Sequence, residues 1–120
     1  MNFDHSNPYS SVRFPVFARN ADPGSADYGK LSFRSMVQDG VGGVGGIDAP
    51  IALALSGDGK HLYVLGAAGD TLATFARNAN PGSSGFGDLV FAGQLVNGGA
   101  ITGMAGVRSL ALGSGGSSVY

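Results

Sequence analysis

The nine residues "FARNADPGS" at positions 17–25 return as "FARNANPGS" at positions 75–83. When the two copies are superposed with an offset of 58 positions, 12 of the 24 residues that begin at Phe17 are identical. After a one-residue deletion, "LALSGDGKHLY" (53–63) lies over "LALGSGGSSVY" (110–120). This repeat constrains the fold strongly, because each unit of a repeat protein leaves an apolar face that its neighbour must cover.

Composition favours strands over helices. The 120 residues include 22 glycines and 5 prolines, and both residue types are unfavourable in helix interiors. Glutamate is absent and lysine occurs only at Lys30 and Lys60, whereas exposed helix surfaces usually draw on both. We therefore predict an all-β fold in which short strands are joined by many tight turns.

One repeat unit is predicted to contain four strands. Residues 51–56, "IALALS", alternate large and small apolar side chains, which is the two-residue period of a strand. Residues 61–67 form an apolar run typical of a strand that is buried on both faces. The turn "AGD" leads to a strand at 71–77, and the link "NANPGSSGFGD" leads to one at 89–96. Four antiparallel strands in a repeated unit are typical of the blade of a β-propeller.

This interpretation divides the chain into one complete blade and two half-blades. Residues 51–96 are the complete blade, and residues 1–11 are an N-terminal segment. Residues 12–38 supply the third and fourth strands of the preceding blade. Residues 108–120 supply the first strand and part of the second strand of the next. A β-sandwich or a stacked β-solenoid is the alternative, but neither needs to repeat a four-strand unit of this length.

The partners expected from this organisation are other blades. The half-blades at the two ends would leave unpaired strand edges. We therefore expect either that the chain is a fragment of a longer propeller or that copies of it assemble, so that one half-blade completes another. In a ring of such copies the number of blades would be even, because each chain contributes two blade equivalents.

Part of the repeat resembles a known family. The stretch "LSGDGKHLYVLGAAGDTLATFARNANPG" is similar to the repeat of the YVTN-type, lactonase-like seven-bladed β-propellers. Their blades carry an S-P-D-G-K-x-x-Y-V core, an aspartate-containing turn and a strand that ends in F-x-R. Gly57 stands where that family has a proline. The resemblance implies a propeller fold and favours a secreted or periplasmic location, although no signal peptide is visible in the first residues.

Charge and hydropathy argue against several classes of partner. The net charge is −1 and only 12% of residues are charged, so no basic surface is predicted for nucleic acid. No apolar run approaches the roughly 20 residues that cross a bilayer. Cysteine is absent, and the two histidines lack metal-ligand spacing, so no metal site is predicted.

The glycine-rich segment also gives no cofactor site. "GVGGVG" (40–45) matches a dinucleotide-binding pattern, but Pro50 and strand alternation follow it where such a site needs a helix. We predict a flexible loop between blades and no cofactor. Asp22 and Asn80, which precede prolines, are predicted to form turns, and the equivalent Arg19 and Arg77 to stabilise the long loops.

A candidate ligand site follows from propeller topology. The loops between blades and the loops between second and third strands share one face, which here carries Asp39 and Asn97 together with Asp70, Asp48 and Arg108. We expect the last three to bind a ligand. Asp58, Lys60, Asn78 and Asn80 belong to loops of the opposite face.

Two functions follow from these features. The near-identical loops of the two copies and the scarcity of charged residues favour a non-catalytic propeller module. Such a module would bind a protein or a small molecule at the inter-blade loops. The alternative, implied by the resemblance, is part of a phosphogluconolactonase-type hydrolase whose carboxylates and arginine hold a sugar-acid lactone. No catalytic residue can be assigned, and whether the chain is an enzyme stays open.

Overall fold

The computed structural model describes residues 13–120, and in these residues it contains six strands and no helix. Consequently, this part of the chain has no helix long and apolar enough to span a membrane. All neighbouring strands are antiparallel. The all-β prediction is confirmed. The strands are β1 (Arg13–Arg19), β2 (Leu31–Gln38), β3 (Pro50–Leu55), β4 (His61–Gly66), β5 (Thr71–Arg77) and β6 (Leu89–Val96).

The strands form two sheets. One has two strands in the order β1-β2, and the other has four in the order β3-β4-β5-β6. The four strands predicted between residues 51 and 96 are therefore confirmed, with β3 and β4 each differing from prediction by one residue at one or both ends. β4 is buried on both faces as predicted, since Val64 and Leu65 point to opposite sides and both are almost fully buried.

The repeated sequence folds the same way twice. β1 and β2 occupy the positions equivalent to β5 and β6, and the strand register shifts at the same place in each pair, after Val16 and after Thr74. The long loops also match: Gly29 N–H donates to the Asn20 carbonyl and Gly87 N–H to that of Asn78, both at 2.7 Å. The repeat therefore encodes a strand–loop–strand unit with its own internal hydrogen bonds.

The two sheets pack face to face through side chains that are not equivalent in the repeat. We call the side of the four-stranded sheet that carries Val64 and Phe75 its front face, and the side that carries Leu65 and Leu72 its back face. The two-stranded sheet covers the front face over β4, β5 and β6, with Phe14 against Phe75 at 5.9 Å between ring centroids. Because Phe14 is the counterpart of Leu72, the back face of the first copy meets the front face of the second.

The end of the chain forms a third, smaller β structure. Ala111 and Tyr120 exchange both backbone hydrogen bonds at 2.7 Å, and Leu112 bridges to Val119. We call residues 111–120 the C-terminal hairpin. It shares a groove with the turn between β3 and β4, and this groove is also lined by Leu55 of the front face and Tyr63 of the back face.

Candidate functional site

One end of the four-stranded sheet gathers three loops, and we call it the loop end. It comprises the segment before β3, the turn between β4 and β5, and the segment after β6. Ala67 N–H donates to the Ala49 carbonyl at 2.9 Å, which joins the first two. Asn97 N–H donates to the Asp70 carbonyl at 3.0 Å, which joins the second to the third. Backbone hydrogen bonds thus hold these loops in a fixed arrangement.

The glycine-rich segment is more ordered in its contacts than predicted. Ile47 is fully buried in the core. The Thr71 hydroxyl donates to the Gly46 carbonyl at 2.6 Å and fastens the segment to the start of β5. At Gly66 a Cβ atom would collide with the Gly46 carbonyl oxygen, so the segment approaches the sheet as closely as the backbone allows. The prediction of a flexible loop misses this anchoring.

Two of the three predicted ligand residues lie together at the loop end. Ala68 N–H donates to the Asp48 carbonyl at 3.2 Å, so Asp48 adjoins the turn that contains Asp70. Asp48 is exposed and Asp70 is half-buried. Within residues 13–120 neither carboxylate belongs to an ion pair. Both remain available to accept hydrogen bonds from a ligand.

The backbone at the loop end is strained at the same place. Ala49 has a φ of 53° and Asp70 a φ of 50°, in the left-handed region that residues other than glycine rarely adopt. Aspartate tolerates this region better than alanine does. Such residues concentrate at binding and catalytic sites, where the surrounding structure holds them in place.

The third predicted residue is less well placed. Arg108 is exposed in the segment between β6 and the C-terminal hairpin. No ion pair or hydrogen bond joins it to Asp48 or Asp70 in the part of the chain that the structure describes. The two remaining polar residues of this face serve the loops themselves, since Asp39 accepts from Ile47 N–H and Asn97 from Met104 N–H.

The opposite end of the sheet, which we call the hairpin end, carries grooves. One lies between the β3–β4 turn and the C-terminal hairpin, and is lined by Asp58, His61 and Tyr63 together with Leu112 and Gly113. The Ser56 hydroxyl donates to Asp58 at 2.6 Å and lowers the pKa of that carboxyl, with the Lys60 N–H assisting. These hydrogen bonds lie within the β3–β4 turn and satisfy its polar groups.

Several side-chain interactions at the hairpin end occur in both copies of the repeat, and the sequence predicts only some of them. Arg19 lies over the Tyr28 ring and Arg77 over the Phe86 ring, each 5.0 Å from the centroid, so the repeated arginines make cation–π contacts. The predicted turns at Asp22 and Asn80 are confirmed, because each side chain accepts a backbone N–H two residues on.

An ion pair between the two copies was not predicted. Arg34 donates to Asp88 at 2.7 Å and joins the two-stranded sheet to the second long loop. The equivalent positions are Ala92 and Lys30, so neither member of the pair recurs. The difference between the two copies at these positions is the sequence signal that could have indicated the ion pair.

The predicted residues that the loop end brings together are two carboxylates, and His61 lies at the other end of the sheet. Within residues 13–120 no group of three or more histidines and carboxylates could hold a metal ion. A hydroxyl-rich ligand or a cationic side chain of a partner would satisfy the two carboxylates.

Comparisons with known proteins identify no relative of this chain. No protein-family model, no curated protein and no solved structure matches the chain. The resemblance to the YVTN-type repeat therefore depends on the quoted residues alone.

Proposed function

We propose that the chain is a non-catalytic β-propeller repeat module, in which the two sheets are neighbouring blades and the loop end binds a ligand. The observation that carries the proposal is that unlike faces meet, with the back of the first copy on the front of the second. In a β-sandwich the two sheets close around one core. A back-to-front contact instead leaves the front face of the first sheet and the back face of the second free for further contacts of the same kind. Such head-to-tail contacts generate rings or filaments.

The position of the C-terminal hairpin supports the same interpretation. It shares a groove with the turn between β3 and β4 of the four-stranded sheet. Its sequence repeats that of β3 and β4. We therefore infer that three successive units of one repeat lie side by side, as in the radial repetition of a propeller.

Binding at the loop end is supported by Asp48 and Asp70. Their carboxylates share one end of the sheet, have no ion-pair partner in residues 13–120 and adjoin strained backbone. A sugar lactone is uncharged and has the hydroxyl groups that such carboxylates bind, whereas the anion of a sugar acid would be repelled. The predicted loop-end residues include no serine, cysteine or histidine, and we propose binding without turnover there.

The test uses methyl glucoside and glucono-δ-lactone, both uncharged, as probes of the full chain. We expect methyl glucoside to shift amide resonances of the loop end in ¹⁵N NMR spectra, and the lactone to hydrolyse at the rate in buffer alone. Asp70→Asn keeps a residue that tolerates positive φ and should weaken binding about tenfold, equivalent to about 1.4 kcal/mol.

Asp58→Asn at the hairpin end is the matched control and should leave binding unchanged. Shifts confined to the hairpin end, or no shift at saturating methyl glucoside, would contradict the proposed ligand site. Lactone hydrolysis above the buffer rate that disappears in Asp70→Asn would instead establish the lactonase-like alternative.

A further inference from the structure

The two-stranded sheet has an open edge. Its strand β1 pairs only with β2 among residues 13–120, whereas the equivalent strand β5 pairs with both β4 and β6. The side of β1 that corresponds to the β4 side of β5 therefore presents N–H and C=O groups that lack a strand partner in this part of the chain. Such an edge is a template for another strand.

The C-terminal hairpin has the structure of the missing partner. Its Ala111–Tyr120 pair is equivalent to Ala54–Tyr63 of β3 and β4, and its Leu112–Val119 bridge to Leu55–Leu62. The turn hydrogen bonds match as well, since Gly113 N–H donates to Ser118 as Ser56 N–H donates to His61. The chain thus carries one pair of strands of the type β3-β4 and one of the type β5-β6, in different places.

Three apolar surfaces are exposed next to these two elements. The first is the front face of β1-β2, where the exposed fractions of Phe17 and Phe33 are 49% and 63%. The second is the front face of β3, formed by Ile51, Leu53 and Leu55. The third is the back face of β6, formed by Val90 and Leu95. Large apolar surfaces of this kind mark contact sites.

We propose that the C-terminal hairpin of a second copy of this chain pairs with the free edge of β1 and completes a four-stranded sheet. The inference rests on the blade arrangement proposed above. We assign the hairpin to a partner copy because, among residues 13–120 of one chain, β1 pairs only with β2 and the hairpin strands pair only with each other. The contact is head-to-tail, and its repetition builds a ring, or a filament where the rotation does not close.

The internal repeat specifies the register of the contact. In β4 and β5, His61 lies opposite Ala76, Leu62 opposite Phe75 and Tyr63 opposite Thr74. Transferred to the equivalent positions, the pairs between copies are Ser118 with Ala18, Val119 with Phe17, and Tyr120 with Val16.

This register covers all three exposed surfaces. The completed sheet has the strand order of β3-β4-β5-β6, so the hairpin of the second copy lies in front of β3, over Leu53 and Leu55. The back face of the second copy's four-stranded sheet, which includes Leu95, then lies on Phe17 and Phe33. That contact repeats the internal one, in which Val37, the counterpart of Leu95, packs on the core around Phe75.

Ring closure restricts the number of copies. Each chain contributes its own four-stranded sheet and the two halves of another, so the number of sheets is twice the number of chains. Propellers close with about four to eight sheets. A closed ring built from the 120-residue chain alone would therefore contain two, three or four copies.

The first experiment measures the mass of the full chain by light scattering across a concentration series. We expect the mass to rise from that of the monomer to a fixed multiple of two to four. Phe33→Asp, at an exposed position, should hold the chain at the monomer mass where the wild type assembles. Val41→Asp is the matched control, because Val41 is equally exposed but lies outside the three surfaces.

The second experiment tests the register by disulfide trapping, which the cysteine-free sequence makes clean. Opposed residues of antiparallel strands have Cα atoms about 4.5–5.5 Å apart, within the range of a disulfide. Ala18→Cys combined with Ser118→Cys should give covalent dimers and larger species under mild oxidation. Ala18→Cys combined with Ser114→Cys, in the hairpin turn, should not.

Three results would overturn the proposal. They are a monomer at every concentration, assembly that survives Phe33→Asp, and trapping as efficient with the turn cysteine as with Ser118→Cys. Protected β1 amides in a monomer would likewise show that another segment of the same chain takes that edge. The blade arrangement is separable from these outcomes, because it fails only if Phe14 does not contact Phe75.

Discussion

The two copies of the repeat have the same local structure and different surroundings. Phe17 and Phe75 occupy equivalent positions and each contacts the ring of an equivalent partner, Phe33 or Phe91. Phe75 is 1% exposed because the two-stranded sheet covers it, whereas Phe17 has no described neighbour in front of it. The repeat thus encodes the strand–loop–strand unit, and the neighbouring sheet decides which copy is buried.

The largest effect that separates the copies is expected for the phenylalanines. Phe75→Ala should lower the free energy of unfolding by about 3–5 kcal/mol, because it opens a cavity between the sheets. Phe17→Ala, the matched control, should lower it by about 1 kcal/mol or less. Urea denaturation at a concentration where the chain is monomeric measures both. Equal losses would show that the two positions are equally buried.

A smaller effect is expected at the anchor of the glycine-rich segment. Thr71→Val removes the part-buried hydrogen bond to the Gly46 carbonyl and should cost about 1–3 kcal/mol, because the carbonyl is left without its donor. The first copy has the exposed Arg13 at this position and no such anchor. Thr74→Val is the control and should cost less. Denaturation curves that do not separate the two variants would refute the anchoring role.

Replacing each of the repeated arginines should lower the free energy of unfolding by amounts that differ by one hydrogen bond. Arg19→Met removes a cation–π contact and should cost about 0.5–1 kcal/mol. Arg77→Met removes the equivalent contact and also the bond from its Nη1 to the Gly59 carbonyl, which adds about 1 kcal/mol. Thermal or urea unfolding of the two variants tests the difference. A greater loss for Arg19→Met would contradict the account.

The smallest effect concerns Asp58 in the β3–β4 turn. The equivalent turn of the C-terminal hairpin has a glycine in its place. Hydrogen bonds from Ser56 and Lys60 favour the ionised form of Asp58 and place its pKa below the ordinary value of 3.8. Their contribution to stability is therefore present above pH 3.8 and is lost as the pH falls through the lowered pKa. NMR titration should show that Ser56→Ala raises the pKa of Asp58 towards 3.8, and no rise would argue against the turn geometry.

Much of the fold could be predicted because the relevant signals are local. The alternation from Ile51 to Leu55 and the turn chemistry around Asp22 and Asn80 depend on near neighbours in the chain. The burial of Ile47 could not be predicted, because a single apolar residue among glycines has no periodicity. The Arg34–Asp88 pair was missed for a related reason, since it depends on which faces of two distant segments meet.

The candidate site was predictable in part for the same reasons. Strand order brings Asp48 and Asp70 to one end of the sheet, and topology alone indicates this. Arg108 follows β6 in a segment without regular strands, so strand order does not fix its position. The positive φ at Ala49 has no sequence signal, because alanine is not a residue that favours it.

The measurement that tests the central claim most directly is a set of NOE contacts among the phenylalanine rings of the full chain, labelled at Phe. The account predicts contacts of Phe14 with Phe75 and of Phe75 with Phe91, whose ring centroids lie 5.9 Å and 5.6 Å apart. Contacts of Phe17 with Phe75 in a monomer would mean that the two-stranded sheet is turned over, so that like faces meet, and would contradict the back-to-front arrangement.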